Sequence, residues 1–377
     1  ILLDNINLAL RTGHIPDAWR GGTIRFLLKK QPETEFKNWR PVVLLRLAYK
    51  IYTRIVNDRL RDIAERHGLL SQAQEGFRSQ HSVQRQIIRL TTMIAHAKRK
   101  KLTVFLTLAD FQNAFNSAPH SCILKVLELL GVPDLDIIAD LLNRTTFRSI
   151  NNVGTTAHIG LTRGIKQGGV ESPLIFCLFA EALLRLLDDA NRSFRSKGNI
   201  SETAGYADDL AILSASTSPK TAESNHAELH KRLELYSNWA DIAFNIPKCR
   251  ITAHNFTTRT SPNTSTMTLN AHPLPFIDHS TAAPYLGAWI SLNGDFKTER
   301  ANIIAKLKRT AILLKNTVYS RSQVDRLLNM CIIPLFTFTA GIVNWTQTEP
   351  NQVNSIWAGV RKLSLIHISE PTRLGMI

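Results

Sequence analysis

The chain has 377 residues, 44% of them hydrophobic, which is more than one core normally holds and enough to fill two or three packed lobes. Its 46 Lys and Arg against 30 Asp and Glu give a formal charge of +16. These basic residues are dispersed through segments with folded patterns, so the charge favours nucleic acid over an anionic membrane surface as the partner. The four cysteines lie far apart and form neither a zinc spacing nor a disulfide framework, which fits a reducing compartment.

The chain shows no pattern typical of membrane insertion or secretion. Its most apolar run, PLIFCLFAEALLRLL at 173–187, is too short to span a bilayer and contains Glu181 and Arg185, so it predicts a buried helix. The sequence opens on Ile1 without a signal segment, and we expect a fragment of a longer protein. The run LSLIHISEPTR at 363–373 resembles a translated adapter from DNA sequencing libraries, so 363–377 is expected to be a non-native tail.

Helical and strand patterns alternate along the chain without an internal repeat. In chain order they predict a helical stretch over 43–67, a helix from Ser82 to about Ala97, a buried strand at 103–110 and a helix at 119–131. Two further helices are predicted through Leu187 and to about Ala243, with Ser172 and Ser218 as their N-caps, each followed by a proline at the first helical position. Segment 255–284 is rich in Ser, Thr, Asn and Pro and predicts loops with short strands. From 296 to 361 the pattern is mostly helical and basic.

The stretch GYADDLAIL at 205–213 places Asp208 and Asp209 side by side among small and apolar residues. Neighbours in a strand point to opposite faces, so both can serve one site only if the chain turns there. The flanking sequence, ETAGYADDLAILSA, predicts such a turn with both aspartates at its tip. An isolated Asp-Asp pair is usually a solvated turn, but a third carboxylate, Asp110, ends the other strong strand pattern.

Such a cluster of carboxylates is difficult to keep ionised. Three of them about 4 Å apart would repel by roughly 4 kcal/mol per pair at an effective dielectric of 20. Two Mg²⁺ ions held by these hard oxygen ligands would remove the conflict, and would stabilise the attacking and leaving oxygens of an in-line phosphoryl displacement.

The aspartates belong to a series of motifs that resembles the reverse transcriptases, and among them those of non-LTR, LINE-like retrotransposons. The resemblance covers nearly all of 1–362 in the family's order. The motifs are IPDAWRGGTIRFLLKK, NWRPVVLL and QEGFRSQHSV in the fingers, then ADFQNAFNSAPH, GIKQGGVESPLIF, YADD, NIPKC and YLGAWI. Each motif alone is weak, and the whole series in register makes the resemblance specific.

The resemblance implies an α/β (α+β) right-hand polymerase fold. Fingers would occupy 1–104, with 140–170 contributing. The palm, an antiparallel sheet backed by helices, would span 105–295 and carry the catalytic motifs. A basic helical thumb would follow at 296–362.

The resemblance also implies which residues carry the chemistry. Asp110, Asp208 and Asp209 would be the catalytic and metal-binding carboxylates, with Asp110 and Asp208 favoured for direct bridging of the metals. The backbone carbonyl of Phe111 would be a further metal ligand. Lys248 would be the acid that protonates pyrophosphate.

The remaining implied site residues bind the nucleotide or the primer. The nucleotide set is Lys30, Arg40, Phe111, Phe115, Gln167 and Gly168, with Lys29 as an alternative to Lys30. Phe115 would be the steric gate beneath the incoming sugar, although on the sequence alone a buried core phenylalanine is equally compatible. The primer grip would be a hairpin at Tyr285, Leu286 and Gly287.

Some positions depart from the family's pattern. Asn116 stands where many relatives have a second acidic residue, and Gly169 with Glu171 replaces the more usual Asp and Leu. None of these is a metal ligand in the family. The histidines of HAELH at 226–230 lie one helical turn apart, and we expect them on an exposed helix face.

The implied function is an RNA-directed DNA polymerase that extends a primer 3′-hydroxyl with dNTPs by a two-metal mechanism, using Mg²⁺ or alternatively Mn²⁺. Its partners would be an RNA template and a DNA primer or nicked target DNA, without a membrane, and an endonuclease domain would lie outside this fragment. The location would be intracellular, in nucleus and cytoplasm for a eukaryotic element.

Two alternatives stay open. A group II intron maturase shares the core motifs and would carry an RNA-splicing domain after the thumb. A decayed RNA-binding protein would no longer polymerise, and the three intact aspartates argue against it.

Overall fold

A computed structural model of the chain describes residues 1–151, 154–264, 267–315 and 320–366. Its helices are Leu2–Thr12 (α1), Asp17–Arg20 (α2), Leu47–Arg66 (α3), Val83–Arg99 (α4), Ala114–Ser117 (α5), His120–Leu129 (α6), Leu135–Asn143 (α7), Ser172–Ser196 (α8), Pro219–Ala240 (α9), Lys297–Lys315 (α10), Arg321–Leu327 (α11), Ile333–Ala340 (α12) and Glu349–Ile366 (α13). A 3₁₀ turn covers Phe36–Asn38, and a π-helical segment, Leu328–Ile332, joins α11 to α12.

The strands are Gly22–Leu28 (β1), Trp39–Leu45 (β2), Thr103–Ala109 (β3), Thr146–Asn151 (β4), Gly154–Thr155 (β5), Ile159–Gly160 (β6), Ile200–Tyr206 (β7), Asp209–Ser216 (β8), Arg250–Asn255 (β9), Thr268–Leu269 (β10), His272–Pro273 (β11), Ala283–Tyr285 (β12) and Ala288–Ile290 (β13). The chain divides into two units, one of 1–83 and 100–277 and the other of the described parts of 84–99 and 278–377. The expected tail from 363 overlaps the end of α13, and residues 367–377 lie outside the described residues.

The first unit is built on an antiparallel sheet with strand order β7-β8-β3-β9. The predicted strand at 103–110 is confirmed as β3, and every one of its residues is buried because strands flank it on both sides and α9 packs on one face. The largest fully buried side chains there include Phe105, Ile175 and Phe179. Each such side chain contributes roughly 1.5–3 kcal/mol when it leaves water. This sheet and its helices form the rigid platform on which the candidate site is built.

Helix α8 begins one position differently from the prediction. Ser172 was expected to be the N-cap, but Glu171 occupies that position and Pro173 lies in the first turn. The helix also continues to Ser196, beyond the predicted end at Leu187, because its apolar face carries on into the core. Ser218 does cap α9 as predicted, accepting a hydrogen bond from the Thr221 N–H.

A second sheet in the same unit contains β2, β1 and β4, with β1 antiparallel to β2 and parallel to β4. The prediction of a helical stretch from Val43 was wrong at its start, since β2 runs to Leu45 and α3 begins at Leu47. The β-branched run there pairs with β1 and buries Val43 against Phe147 and the tyrosines of α3. Pairing with a neighbouring strand thus overrode the local helical spacing.

The prediction that the histidines of α9 face solvent was wrong. His226 and His230 are fully buried against the central sheet, and both imidazole Nε2 atoms lie within hydrogen-bonding distance of Thr107 Oγ1, at 2.8 and 2.9 Å. His226 Nδ1 lies 3.0 Å from Ser214 Oγ, and His230 Nδ1 donates to the Thr268 carbonyl at 3.1 Å. Hydroxyl groups on the strands therefore provide the partners that allow these polar rings to be buried.

The second unit contains the hairpin of β12 and β13 together with helices α10 to α13. Its apolar core includes Ile303, Leu307 and Val353. The buried Glu299 of α10 accepts a hydrogen bond from the Trp289 N–H at 2.8 Å, which fixes the hairpin to this helix. Throughout the described ranges of the chain, none of the helices combines the length and apolarity needed to cross a bilayer.

Candidate active site

The turn between β7 and β8 carries the paired aspartates. Tyr206 is opposite Asp209 in the strand pairing, so Ala207 and Asp208 form a two-residue loop. The tip therefore holds Asp208, while Asp209 is the first residue of β8. Ala207 has a positive φ of 55°, a conformation that costs a non-glycine residue roughly 1–2 kcal/mol.

The pairing of β3 with β8 brings the third carboxylate to the same edge of the sheet. Ala109 is opposite Leu210, so the next residue, Asp110, lies beside Asp209. Burial raises the pKa of Asp209 to about 6, and the negative charges of Asp208 and Asp110 add to this effect. Burial also raises the pKa of Asp208, with Asp110 again contributing. The structure thus brings together the three carboxylates that the sequence singled out.

The loop of NIPKC, residues 245–249, is fixed against Asp110. The Asn245 N–H donates to the Asp110 carbonyl at 2.8 Å, and Asn245 Nδ2 donates to Asp110 Oδ2 at 2.8 Å. Lys248 Nζ donates to the same Oδ2 at 2.9 Å. Its ammonium also lowers the pKa values of Asp208 and Asp209, partly offsetting the effect of burial. Lys248 is therefore a cation within the carboxylate cluster, and Asn245 is a partner that sequence reasoning missed.

The carboxylate cluster suits a divalent cation by its donor chemistry. It offers hard oxygen ligands, and its partly buried negative charge is only partly offset by Lys248. Among the residues that the structure describes, no three His, Cys, Asp or Glu side chains already surround one ion position. Phe111, the predicted carbonyl ligand, buries its ring against Phe244 with 4.7 Å between ring centroids.

The basic residues predicted to lie in the fingers differ in their relation to this cluster. Arg40 and Lys30 are both exposed, and Arg40 is paired across the strands with Leu27. The charge of Lys29, the alternative to Lys30, lowers the pKa of Asp208. Which of the two lysines binds the nucleotide stays a prediction.

The Gln167–Gly168 turn lies against strand β2. The Val43 N–H donates to the Gln167 carbonyl at 2.8 Å. Gly168 has a φ of 128°, and a Cβ there would lie 2.4 Å from the Val43 carbonyl oxygen. Only glycine permits this close approach. Gln167 Nε2 donates to Asn116 Oδ1 at 3.2 Å, so the asparagine that departs from the family's pattern orients this glutamine.

Beneath this turn is a buried polar chain that sequence reasoning missed. Lys166 Nζ donates to the Tyr49 hydroxyl and, at 2.5 Å, to the Leu141 carbonyl. The Tyr49 hydroxyl donates to Glu171 Oε1 at 2.9 Å. Burial lowers the pKa of Lys166 to about 8, while the nearby Glu171 opposes this effect. Glu171, one of the departures from the family's pattern, therefore serves as a buried counter-charge.

Two other predicted elements have clear local structures. The ring of Phe115 is half-buried and stacks on Phe176 with 4.2 Å between ring centroids, which leaves the predicted gate role as a prediction. Tyr285 to Gly287 do form a hairpin in the second unit. Leu286 and Gly287 are its two loop residues with φ values of 50° and 84°, and Tyr285 is buried.

An antiparallel sheet with carboxylates gathered at one hairpin end is the arrangement of a nucleic-acid polymerase palm. Residues 28–290 match the family described as reverse transcriptase (RNA-dependent DNA polymerase), and the chain belongs to that family. The match confirms the recognition of a reverse transcriptase that the sequence motifs supported.

Relatives and solved structures agree with this assignment. The chain is 27% identical to the RNA-directed DNA polymerase from mobile element jockey of Drosophila melanogaster over 79% of this chain and 32% of that protein. It is also 27% identical to the Pol polyprotein of retrotransposable element R2 from Popillia japonica over 55% of this chain and 29% of that protein. The chain thus spans about a third of the length of such relatives. These relatives are proteins of non-LTR elements, which confirms the predicted LINE-like affinity.

Apo telomerase from Candida tropicalis shares the fold, with a TM-score of 0.52 at 10% identity over 97% of this chain and 67% of that chain. This likeness confirms the predicted right-hand polymerase fold. The boundaries predicted for fingers, palm and thumb stay a prediction, as do the individual residue roles.

Proposed function

We propose that this chain is the polymerase part of a longer non-LTR retrotransposon protein and extends a primer 3′-hydroxyl with dNTPs on an RNA template. The observation that carries the proposal is the convergence of Asp110, Asp208 and Asp209 at one end of the central sheet. Nucleotidyl transfer needs such a negatively charged, partly desolvated cluster to hold divalent cations.

Reverse transcriptases generally use divalent metal ions, and Mg²⁺, with Mn²⁺ as an alternative, suits these oxygen ligands. Asp110 and Asp208 would hold the ions, assisted by Asp209 and the Phe111 carbonyl. When bound, two ions would activate the primer hydroxyl and neutralise the triphosphate.

The chain's own side chains have distinct roles in this proposal. Arg40 and either Lys29 or Lys30 bind the triphosphate by charge and hydrogen bonding. Lys248, which is hydrogen-bonded to Asp110, donates a proton to the leaving pyrophosphate in this proposal.

Three further residues position the nucleotide. The Gln167–Gly168 backbone supports it from the fingers side, since Gly168 allows close approach. Phe115 packs beneath the sugar.

The primer end is held by Tyr285, Leu286 and Gly287.

An exposed basic groove on the sheet of β1, β2 and β4 is suited to the template strand. Thr23, Leu44 and Arg148 are paired neighbours on the face of β1, β2 and β4 that is opposite to the buried Val43 and Phe147. The groove lining carries the exposed basic side chains Arg46, Arg144, Arg148 and His158, together with Asp17 and the buried Arg20, which is paired with Asp140. We propose that phosphates of the RNA bind there, so that affinity falls steeply with salt.

The relatives also support a proposal for the wider setting. We propose that the primer is a nicked target DNA, that an endonuclease domain belongs to the longer protein, and that the reaction takes place in the nucleus or cytoplasm of a eukaryotic host. The non-LTR relatives favour this setting over a group II intron maturase.

Primer extension on poly(rA)/oligo(dT) with Mg²⁺ tests the activity. The parent chain should incorporate dTTP, Asp208→Ala should retain less than about one hundredth of that rate, and the control Asp58→Ala, at an exposed ion pair with Arg54, should retain most of it. RNA binding by gel shift without any incorporation by the parent would favour the alternative of a decayed RNA-binding protein.

A further inference from the structure

Gln74, in the QEGF motif between α3 and α4, is fully buried and contacts the catalytic turn directly. Its Oε1 accepts two backbone hydrogen bonds, both at 2.9 Å, from the Gly76 N–H and from the Ala207 N–H. Two donors facing one atom fix the orientation of the amide, because a flipped side chain would place its own N–H groups against them. Ala207 immediately precedes Asp208, so this hydrogen bond lies next to the residue that holds the proposed catalytic carboxylate.

The loop around Gln74 also pairs with β7 through its backbone. The Gly205 N–H donates to the Ala73 carbonyl at 2.9 Å, and the Glu75 N–H donates to the Gly205 carbonyl at 3.0 Å. This is a short parallel bridge at the end of the strand that leads into the turn. A Cβ on Gly76 would lie 2.7 Å from the Ala207 nitrogen, so glycine is required for the approach.

The loop that presents Gln74 is itself held firmly. Arg78 Nη1 donates to the Ser71 and Gln74 carbonyls at 2.7 and 3.1 Å, while its Nε and Nη2 atoms donate to the two carboxylate oxygens of Glu65. The buried carboxylate of Glu75 lies 2.8 Å from His81 Nδ1. Gln74 therefore lies on a loop that has hydrogen bonds of its own in addition to those it makes with β7 and the turn.

The backbone of the turn needs such support. Ala207 adopts a positive φ of 55° and lies in the loop, beyond the last paired residues of β7 and β8. An unfavourable backbone conformation persists only when contacts with the surrounding residues hold it in place. The acceptor on Gln74 satisfies the Ala207 N–H, and the next residue, Asp208, lies close enough to Asp110 for the two charges to interact.

We propose that Gln74 is a positioning residue that fixes the Ala207–Asp208 turn and thereby sets the place of the Asp208 carboxylate; this rests on the polymerase activity proposed above. In the described part of the chain, the side-chain hydrogen bonds of Gln74 go to Gly76 and Ala207, neither of which is among the predicted nucleotide-binding residues. The loss of Gln74 should therefore reduce the rate of the chemical step and leave nucleotide binding intact, since small displacements of a catalytic group cost up to about 100-fold in rate.

Two substitutions at Gln74 separate positioning from general structure. Gln74→Met keeps the size of the side chain and removes the acceptor, whereas Gln74→Glu keeps an acceptor oxygen in place. In steady-state primer extension we expect Gln74→Met to lower kcat about 10- to 100-fold with the KM for dTTP changed less than about 3-fold. Gln74→Glu should recover most of the lost kcat. An unchanged kcat in a folded Gln74→Met protein, or a loss confined to KM, would overturn the proposal.

A buried amide on α8 that contacts another part of β7 is the matched control. Asn191 Nδ2 donates to Thr203 Oγ1 at 2.8 Å, and Asn191 Oδ1 accepts from Ser201 Oγ at 2.6 Å, both away from the turn. Asn191→Leu should lower stability in urea without the selective loss of kcat. An equal loss of kcat in Asn191→Leu and Gln74→Met at matched stability would contradict a specific positioning role.

Hydrogen exchange tests the contact without relying on activity. In Gln74→Met the Ala207 amide should exchange at least about 10-fold faster than in the parent, while Gln74→Glu should stay close to the parent. If the parent incorporates no nucleotide, the proposed function fails, and the exchange rates still decide whether Gln74 holds the turn. Equal exchange in all three proteins would overturn the inference.

Discussion

We expect the buried histidine pair of α9 to make the folded protein less stable in acid. The Thr268 carbonyl takes the Nδ1–H of His230, so His230 Nε2 accepts from the Thr107 hydroxyl. The Thr107 oxygen is then free to accept from His226 Nε2. Both rings are neutral in this arrangement, and an added proton would break one of these hydrogen bonds inside the core. Burial accordingly lowers the pKa of His230 to about 4 and lowers the pKa of His226 well below its ordinary value.

The size of the effect follows from proton linkage. An unfolded histidine has a pKa near 6.5, so between pH 6.5 and 4 the unfolded chain binds a proton at His230 that the folded chain does not. Because the folded-state pKa is the lower one, this stability is present above pH 6.5 and is lost as the pH falls. At about 1.4 kcal/mol per pKa unit, the loss for His230 reaches about 3 kcal/mol by pH 4.

Urea unfolding of the parent and of His230→Gln at pH 7.5 and pH 4.5 measures the loss of stability that His230 causes in acid. Glutamine can accept from Thr107 and donate to Thr268 but does not titrate. The free energy of unfolding should therefore decrease from pH 7.5 to pH 4.5 in both proteins, and the decrease should be about 2–3 kcal/mol smaller in the variant than in the parent. His67→Gln, at an exposed histidine, should behave like the parent. An identical pH dependence in parent and His230→Gln would refute the reasoning.

Three further substitutions test separate parts of the site. Gly168→Ala brings a Cβ to 2.4 Å from the Val43 carbonyl oxygen. This substitution should lower the free energy of unfolding by about 1–3 kcal/mol and should lower kcat/KM by at least about 10-fold. Values like those of the parent would show that glycine is not required for the close approach. Arg148→Glu should weaken RNA binding and reduce the salt slope by about 1–2 in fluorescence anisotropy, and an unchanged slope would remove this groove from the template path. Lys248→Met removes a cation that lowers the pKa of Asp208, so the acid limb of the pH–rate profile should move to higher pH. An unmoved acid limb would contradict this effect of the Lys248 charge on Asp208.

The sequence was most informative where one feature had one physical explanation. Two adjacent aspartates in an apolar stretch needed a turn, and a strand ending in Asp110 needed a partner, so their convergence could be expected. The start of α3 was harder, because the run from Val43 fits a helix as well as a strand. Only pairing with β1 decided between them.

The contacts that sequence reasoning missed all connect distant parts of the chain. The bond from Ala207 to Gln74 joins residues 133 positions apart, and Thr107 lies 119 positions from His226. No periodicity in the sequence reports such partners. The hydroxyl of Thr107 in the middle of a mostly apolar strand was the available signal that a polar group packs against β3.

Counting bound ions tests the central claim most directly. In a complex of protein, chain-terminated primer on RNA template and dNTP, Mn²⁺ titrated by electron paramagnetic resonance should bind at two sites per parent chain. Asp110→Asn and Asp208→Asn should each lose at least one of these sites. The same number of bound ions in parent and variants would contradict the assignment of these carboxylates as the metal-holding centre of the polymerase.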